Sequence, residues 1–233
     1  MLTDRLHTVQ GARSIRTSVL CFLFVLTAFL HSGCGDEDDV HYPSLVTEFA
    51  EVFTDNTGAV YSFVNDKGKA FVPRQKITTE RPDTVLRCIC RYAIGDSDVV
   101  DVYGVEHVYS QYPFPADSVK NVSVHPVNMR SVWKSGGYIN MHIGFLTTGV
   151  GKHTFGFVLD SISSSAAEGK SIVYASLFHN RPDEDDESYT EKVYMSMPIG
   201  KYVDSYDSIQ FSVLTYDGIV KRTFPLSSDS ERM

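Results

Sequence analysis

GGYINMHIGFLTTGVGKHTFGFVLD, residues 136–160, is the stretch on which the reading of the fold turns. Apolar side chains recur at every second position on both sides of Gly149-Val150-Gly151, and a period of two puts them on one face of a pleated strand. Folding the segment about that three-residue loop sets Phe145 opposite Phe155, Ile143 opposite Phe157 and Met141 opposite Leu159, so every core-facing pair is apolar. Gly151 supplies the positive φ that such loops often need. The other face pairs His142 with Val158 and Gly144 with Gly156. The expectation is an antiparallel hairpin with a gap at the two glycines into which a neighbouring side chain or a second sheet can press.

Downstream the strand signals continue. Residues 172–178 are apolar on both alternating sets, as in a strand covered on both sides, whereas Val193, Met195, Met197 and Ile199 alternate with Lys192, Tyr194 and Ser196. The first reads as central and the second as half-exposed. Asp217-Gly218 is a two-residue hairpin signal, and pairing across it sets Phe211 opposite Phe224 before Pro225 ends the strand. Six or more antiparallel strands in this span give a β-sandwich over 127–226, followed by a polar tail at 227–233. The only helical turn expected lies within 163–169.

Upstream, strands are expected near 44–53, 59–64, 70–72, 85–94 and 99–109, separated by turns at Asp55-Asn56-Thr57-Gly58 and Asp66-Lys67-Gly68. Five short strands fit a small barrel over 42–116, OB-like or SH3-like. In Leu86-Arg87-Cys88-Ile89-Cys90-Arg91-Tyr92 the two cysteines fall in phase with Leu86 and Tyr92, with Arg87 and Arg91 on the opposite face. Both thiols are therefore expected inside the barrel as packing groups. Tyr112-Pro113-Phe114-Pro115 is semi-rigid, because proline fixes φ and biases its neighbour to extended backbone. The boundary between the two parts is placed at a connector, 117–126.

The amino terminus says where the chain goes. An unbroken apolar run begins at Val19, behind Arg13 and Arg16, and ends in Ser32-Gly33-Cys34. That is the pattern of a lipoprotein secretion signal, 1–33, cleaved before Cys34. The run reaches only about 18 Å as a helix, short of the ~30 Å hydrocarbon core, so a leader is expected rather than a span. Cys34 is the expected lipidation site and Asp36-Glu37-Asp38-Asp39 the centre of a solvated tether over 34–41. Acidic residues just after the lipidated cysteine resemble the export signal of Bacteroidetes surface lipoproteins. That implies an outer-membrane, surface-exposed location, with the periplasmic face of the same membrane as the alternative.

The fragments Tyr42-Pro43-Ser44, Asn65-Asp66-Lys67-Gly68-Lys69, Gly137-Tyr138-Ile139-Asn140, Leu177-Phe178-His179-Asn180, YTEKVYMSMP at 189–198 and Thr215-Tyr216-Asp217-Gly218 stand in this order behind the leader. Together they resemble the NigD-like lipoproteins of Bacteroidetes. The resemblance implies an OB-like barrel followed by a β-sandwich, an association with bacteriocin gene clusters, and no catalytic residues to carry over. Asp83-Thr84-Val85, Asp117-Ser118-Val119, Asp160-Ser161-Ile162 and Asp207-Ser208-Ile209 further resemble Bacteroidetes O-glycosylation acceptors.

Motifs for chemistry are missing. Gly169-Lys170-Ser171 lacks the earlier glycine of a phosphate loop, since Ser164 stands there, and neither a GxSxG elbow nor an HExxH helix occurs. His107, His125, His142, His153 and His179 are scattered singly along the sequence and read as sheet histidines rather than metal ligands. The run 183–187 lacks the spacing and glycine of a calcium loop. A formal charge of −8 argues against a nucleic-acid partner. The expectation is a non-enzymatic binding or accessory protein at the envelope, held to the membrane through Cys34, with no catalytic or metal residues, no cofactor, and a protein or glycan partner of unknown identity. Competing readings are a carbohydrate-active hydrolase and an immunity factor for a bacteriocin.

Overall fold

The computed structural model describes residues 43–119, 122–149, 152–165, 170–181 and 189–226. The leader, Cys34, the acidic tether, the run 183–187 and the tail 227–233 lie outside the described residues, and so does most of the turn expected within 163–169. No helix among the described residues is long and apolar enough to cross a membrane.

The chain from Ser44 forms one unit, built almost entirely of strands around two hydrophobic cores. The first core belongs to a curled sheet of β1 (Leu45–Thr54), β2 (Val60–Asn65), β3 (Ala70–Pro73), β4 (Val85–Ala93), β5 (Val99–Val100) and β6 (Val102–His107), in the order β5-β3-β2-β1-β4-β6. β5 and β6 are one strand bent at Asp101. Its first half runs parallel to β3 and its second antiparallel to β4, so the sheet curls round into a half-barrel. Ala50, Val52, Phe63, Leu86, Cys88, Cys90 and Tyr92 fill the interior. The alternation expected in β4 is borne out, and both cysteines are free thiols buried among aromatic rings.

The second core lies between two sheets. One has the order β7 (Tyr109–Ser110), β13 (Tyr189–Pro198), β10 (Tyr138–Thr147), β9 (Asn128–Ser135). The other has the order β15 (Gly218–Pro225), β14 (Ser208–Thr215), β12 (Lys170–Asn180), β11 (Thr154–Ser165), β8 (Phe114–Pro115). Met141, Ile143 and Met197 from the first sheet face Phe157, Val173 and Phe211 from the second, all essentially inaccessible to water. Each such side chain contributes about 1.5–3 kcal/mol of burial. Two short strands from the proline-rich segment, β7 and β8, are taken up one into each sheet, in parallel with β13 and β11.

The hairpin expected at 136–160 does not form. β10 pairs with β9 and β13, whereas β11 pairs with β12 and β8. Its two halves belong to opposite sheets and meet face to face through the core. The alternation was right about which side chains point inward, but apolar pairs opposed across a sandwich look in sequence like apolar pairs opposed across a hairpin. The two glycines are not opposite each other. Each is covered separately, Gly144 by Thr190 and Gly156 by the Phe114 ring, whose edge lies 2.6 Å from where a Cβ would stand.

The terminal hairpin forms with its register shifted by two. Thr215 pairs with Gly218, so Tyr216-Asp217 is the loop; Phe224 faces Ile209, and Phe211 faces Arg222. Gly218, at φ 113°, opens the return strand. The one helical turn among the described residues that the sequence did not suggest is Gly200–Val203, with a 3-10 turn at Ala116–Val119.

Candidate functional site

Where the outer face of the barrel meets the outer face of the sandwich, β1 and β4 lie against β9, β10 and β13. Arg87, on the β4 face opposite the cysteines, points out of the barrel and is still buried, at 4% exposure. Its Nη1 and Nη2 donate to the two carboxylate oxygens of Asp66 at 2.6 and 2.9 Å. Nη2 also donates to Asn140 Oδ1 at 3.0 Å, and Nε to Ser196 Oγ at 3.3 Å. The guanidinium lies 3.8 Å from the centre of the Tyr138 ring, whose hydroxyl donates to Glu51 at 2.7 Å. Burial and the Glu51 bond both raise the Tyr138 pKa, so the phenol stays protonated.

Asp66 sits on the β2–β3 turn, and the two-residue turn between β9 and β10 presses onto it. A Cβ on Gly136 would stand 3.2 Å from the Asp66 carboxyl carbon, and its φ of 54° suits glycine. One charge from the barrel and one polar pair from the sandwich thus tie the two halves together. Asn140 Nδ2 is buried there without a partner among the described residues.

Beside this tie opens a cleft of about 630 Å³. Its aromatic wall is Phe49, Trp133, Tyr194 and His142. Phe49 meets Trp133 at 5.7 Å and Tyr194 at 5.8 Å, both edge-on, while His142 stacks on Tyr194 at 4.3 Å. Desolvation, then Arg130 and Lys192, lower the His142 pKa, so the stacked imidazole is neutral at pH 7. Thr47, Ser131 and Ser135 add hydroxyls.

The charges in the cleft divide into used and unused. Asp66 is held by Arg87, and Glu48 accepts from Asn65 Nδ2 at 2.8 Å and from the Tyr92 hydroxyl. Burial, then the bond to Glu48, raises the Tyr92 pKa. The side chains of Lys67, Arg91 and Glu106 line the same space and make no hydrogen bond or ion pair among the described residues.

The histidines are not all scattered. His125, His153 and His179 come together at one end of the sandwich, which the sequence did not suggest. His179 Nδ1–H donates to the His125 carbonyl at 3.2 Å, leaving Nε2 to accept from His153 Nδ1–H at 2.9 Å. His179 also stacks on Phe155 at 4.6 Å. No group of three His, Cys, Asp or Glu residues among the described ones is arranged to hold a metal ion. Of the four glycosylation-like tripeptides, Ser118 and Ser161 are exposed, while Thr84 and Ser208 are half-buried.

A curled sheet tied to a two-sheet sandwich, with an aromatic cleft at the seam, defines a two-part all-β protein. In its sandwich the chain is NigD-like: residues 113–226 match the family model of the NigD-like C-terminal beta sandwich domain. A solved NigD-like immunity protein from Bacteroides caccae is similar at 25% identity and a TM-score of 0.61, over 79% of this chain and 99% of that one. A provisionally toxin-related protein from Parabacteroides distasonis aligns at 15% identity and a TM-score of 0.65, over 82% and 97% of the two chains. A provisionally named lipoprotein from Bacteroides fragilis aligns at 13% identity and a TM-score of 0.54, over 78% and 96%. The last two show the fold alone. No curated protein matches the chain.

The aromatic wall and the Arg87 tie are the features sequence reasoning missed. A signal for them exists in the strands: Phe49 and Ile89 make the outer face of β1 and β4 too apolar for a solvated surface.

Proposed function

We infer that this chain is a non-catalytic binding protein, tethered by lipid at Cys34 to the outer membrane and exposed at the cell surface, with its ligand in the seam cleft. The cleft carries the reading: four aromatic or imidazole rings and two unpaired cations surround a space of ligand size at the junction of two rigid units. Glycoside hydrolysis needs a pair of working carboxyls, and of the three that line the cleft only Glu106 is unengaged, which supports binding over hydrolysis. The leader and the acidic run support the anchor.

Arrays of oligosaccharides and peptides probed with the mature chain test this directly. Retention of a ligand that is lost in Tyr194→Ala and Phe49→Ala supports the cleft; equal retention by those variants, or turnover of a glycoside, contradicts the reading. For the anchor, palmitate is expected to label wild type and not Cys34→Ala, and label surviving that substitution counts against it. A narrower reading as an immunity factor draws on the likeness to the Bacteroides caccae protein. Deleting the gene is then expected to sensitise cells to the cognate antibacterial peptide, and unchanged sensitivity rejects it.

A further inference from the structure

Among the described residues β6 has no strand partner on the side away from β4, and Val105 on that side lines the cleft. β6 is the last strand of its sheet and pairs only with β4 along this length. Val108 N–H donates to the Arg87 carbonyl at 2.8 Å. Alternation along an antiparallel ladder then directs the backbone groups of Glu106 and Gly104 toward β4, and those of Val105 and His107 away from it. At its start the edge is closed by a side chain: Gln75 Oε1 accepts from Val102 N–H at 3.3 Å, and the Gln75 amide donates to the Val102 carbonyl. Nothing among the described residues does the same for Val105 or His107. Val105 lines the cleft, and across from it stands β9, itself the last strand of its sheet, presenting Ser131 and Trp133.

We propose that the cleft receives an extended peptide segment of a partner protein, added as a strand to the open edge of β6, with its acidic side chains on Arg91 and Lys67. The proposal rests on the cleft being the binding site and names its occupant. A saccharide could use the aromatic wall but would leave the β6 backbone unmet. A peptide strand satisfies those donors and acceptors and places alternate side chains against Trp133 and Tyr194. Gly104 keeps the approach open, since a Cβ there would meet nothing nearer than 4.0 Å. Arg91 and Lys67 make no ion pair among the described residues and outnumber the one unengaged carboxylate, Glu106, which favours acidic over basic segments.

Trp133 is the only tryptophan, so its emission reports the cleft alone. A random peptide library displayed on phage is selected against the mature chain. The best-enriched peptide is synthesised plain and with alternate amides N-methylated in each of the two registers, and tetragalacturonate serves as the acidic-sugar comparator. The expected result is an Asp- or Glu-bearing peptide that shifts Trp133 emission saturably and is weakened about tenfold or more by methylation in one register only. Val105→Pro, which removes an outward N–H together with some packing against the barrel core, is expected to weaken it similarly in a chain that still melts cooperatively. Methylation without effect in both registers overturns the proposal. So does a response to tetragalacturonate with no peptide enriched, which leaves the cleft reading standing. If neither probe moves Trp133 emission, the cleft reading falls as well.

Discussion

Arg87 donates four hydrogen bonds to three residues, two of which, Asn140 and Ser196, lie across the seam. Removing one member of a buried ion pair costs about 3–5 kcal/mol, because the remaining charge is left without compensation. Arg87→Met is expected to lower the total unfolding free energy read from urea curves by about that amount, and Arg87→Lys by less, since an ammonium cannot make the bidentate fork. At Cys88 and Cys90, burial pushes the thiols up to about 11 and about 12. Neither should react with iodoacetamide at pH 8 until the barrel unfolds, and fast alkylation of the native chain would contradict the packing role. Their phase with Leu86 and Tyr92 made that role legible in the sequence. The depth of Arg87 was not, because burial on the outer face depends on a partner surface more than forty residues away. His179, 2% exposed, is pushed down to about 4, chiefly by burial, with His153 and His125 facing it. The unfolded chain takes the proton near 6.5, so stability is full above pH 6.5, declines as pH falls to 4 and is flat below. The loss is on the order of 3 kcal/mol. Melting curves of wild type and His179→Phe across that window measure it, and the variant should lose most of the slope.

β10 and β11 show how far periodicity carries at the level of elements. Alternation identifies the inward faces of both strands, because Met141, Ile143 and Phe157 are inward whatever pairs with them. It does not identify the partner strand, since a loop between sheets and a loop within a sheet impose the same pattern on the flanking residues. The terminal hairpin failed more mildly: Gly218 marked the turn but sits after the loop rather than in it. Gly156 is informative for the opposite reason. A strand glycine signalled a close approach, and the Phe114 ring makes it. Gly156→Val is expected to drive Phe114 and β8 off the edge of β11. Amide exchange at Phe114 and Val158 should then speed up while exchange at β13 stays unchanged; uniform acceleration would mean the whole sandwich had loosened.

For the whole molecule, the sequence conveyed two all-β parts with their cores but not the seam between them, and the candidate site lies on that seam. The reason is physical. Each core announces itself through local periodicity, whereas a surface between two folded units is assembled from residues such as Asp66, Arg87, Trp133 and Asn140 that are unremarkable in their own strands. If the Arg87 tie makes the two parts one rigid body, the cleft is preformed and its walls keep their spacing without ligand. Calorimetry of the mature chain is the most direct test. One cooperative transition is expected for wild type, resolving into two in Arg87→Met. Two independent transitions in wild type, or an Arg87→Met chain that still melts as one unit at the wild-type temperature, would contradict a cleft held by that tie.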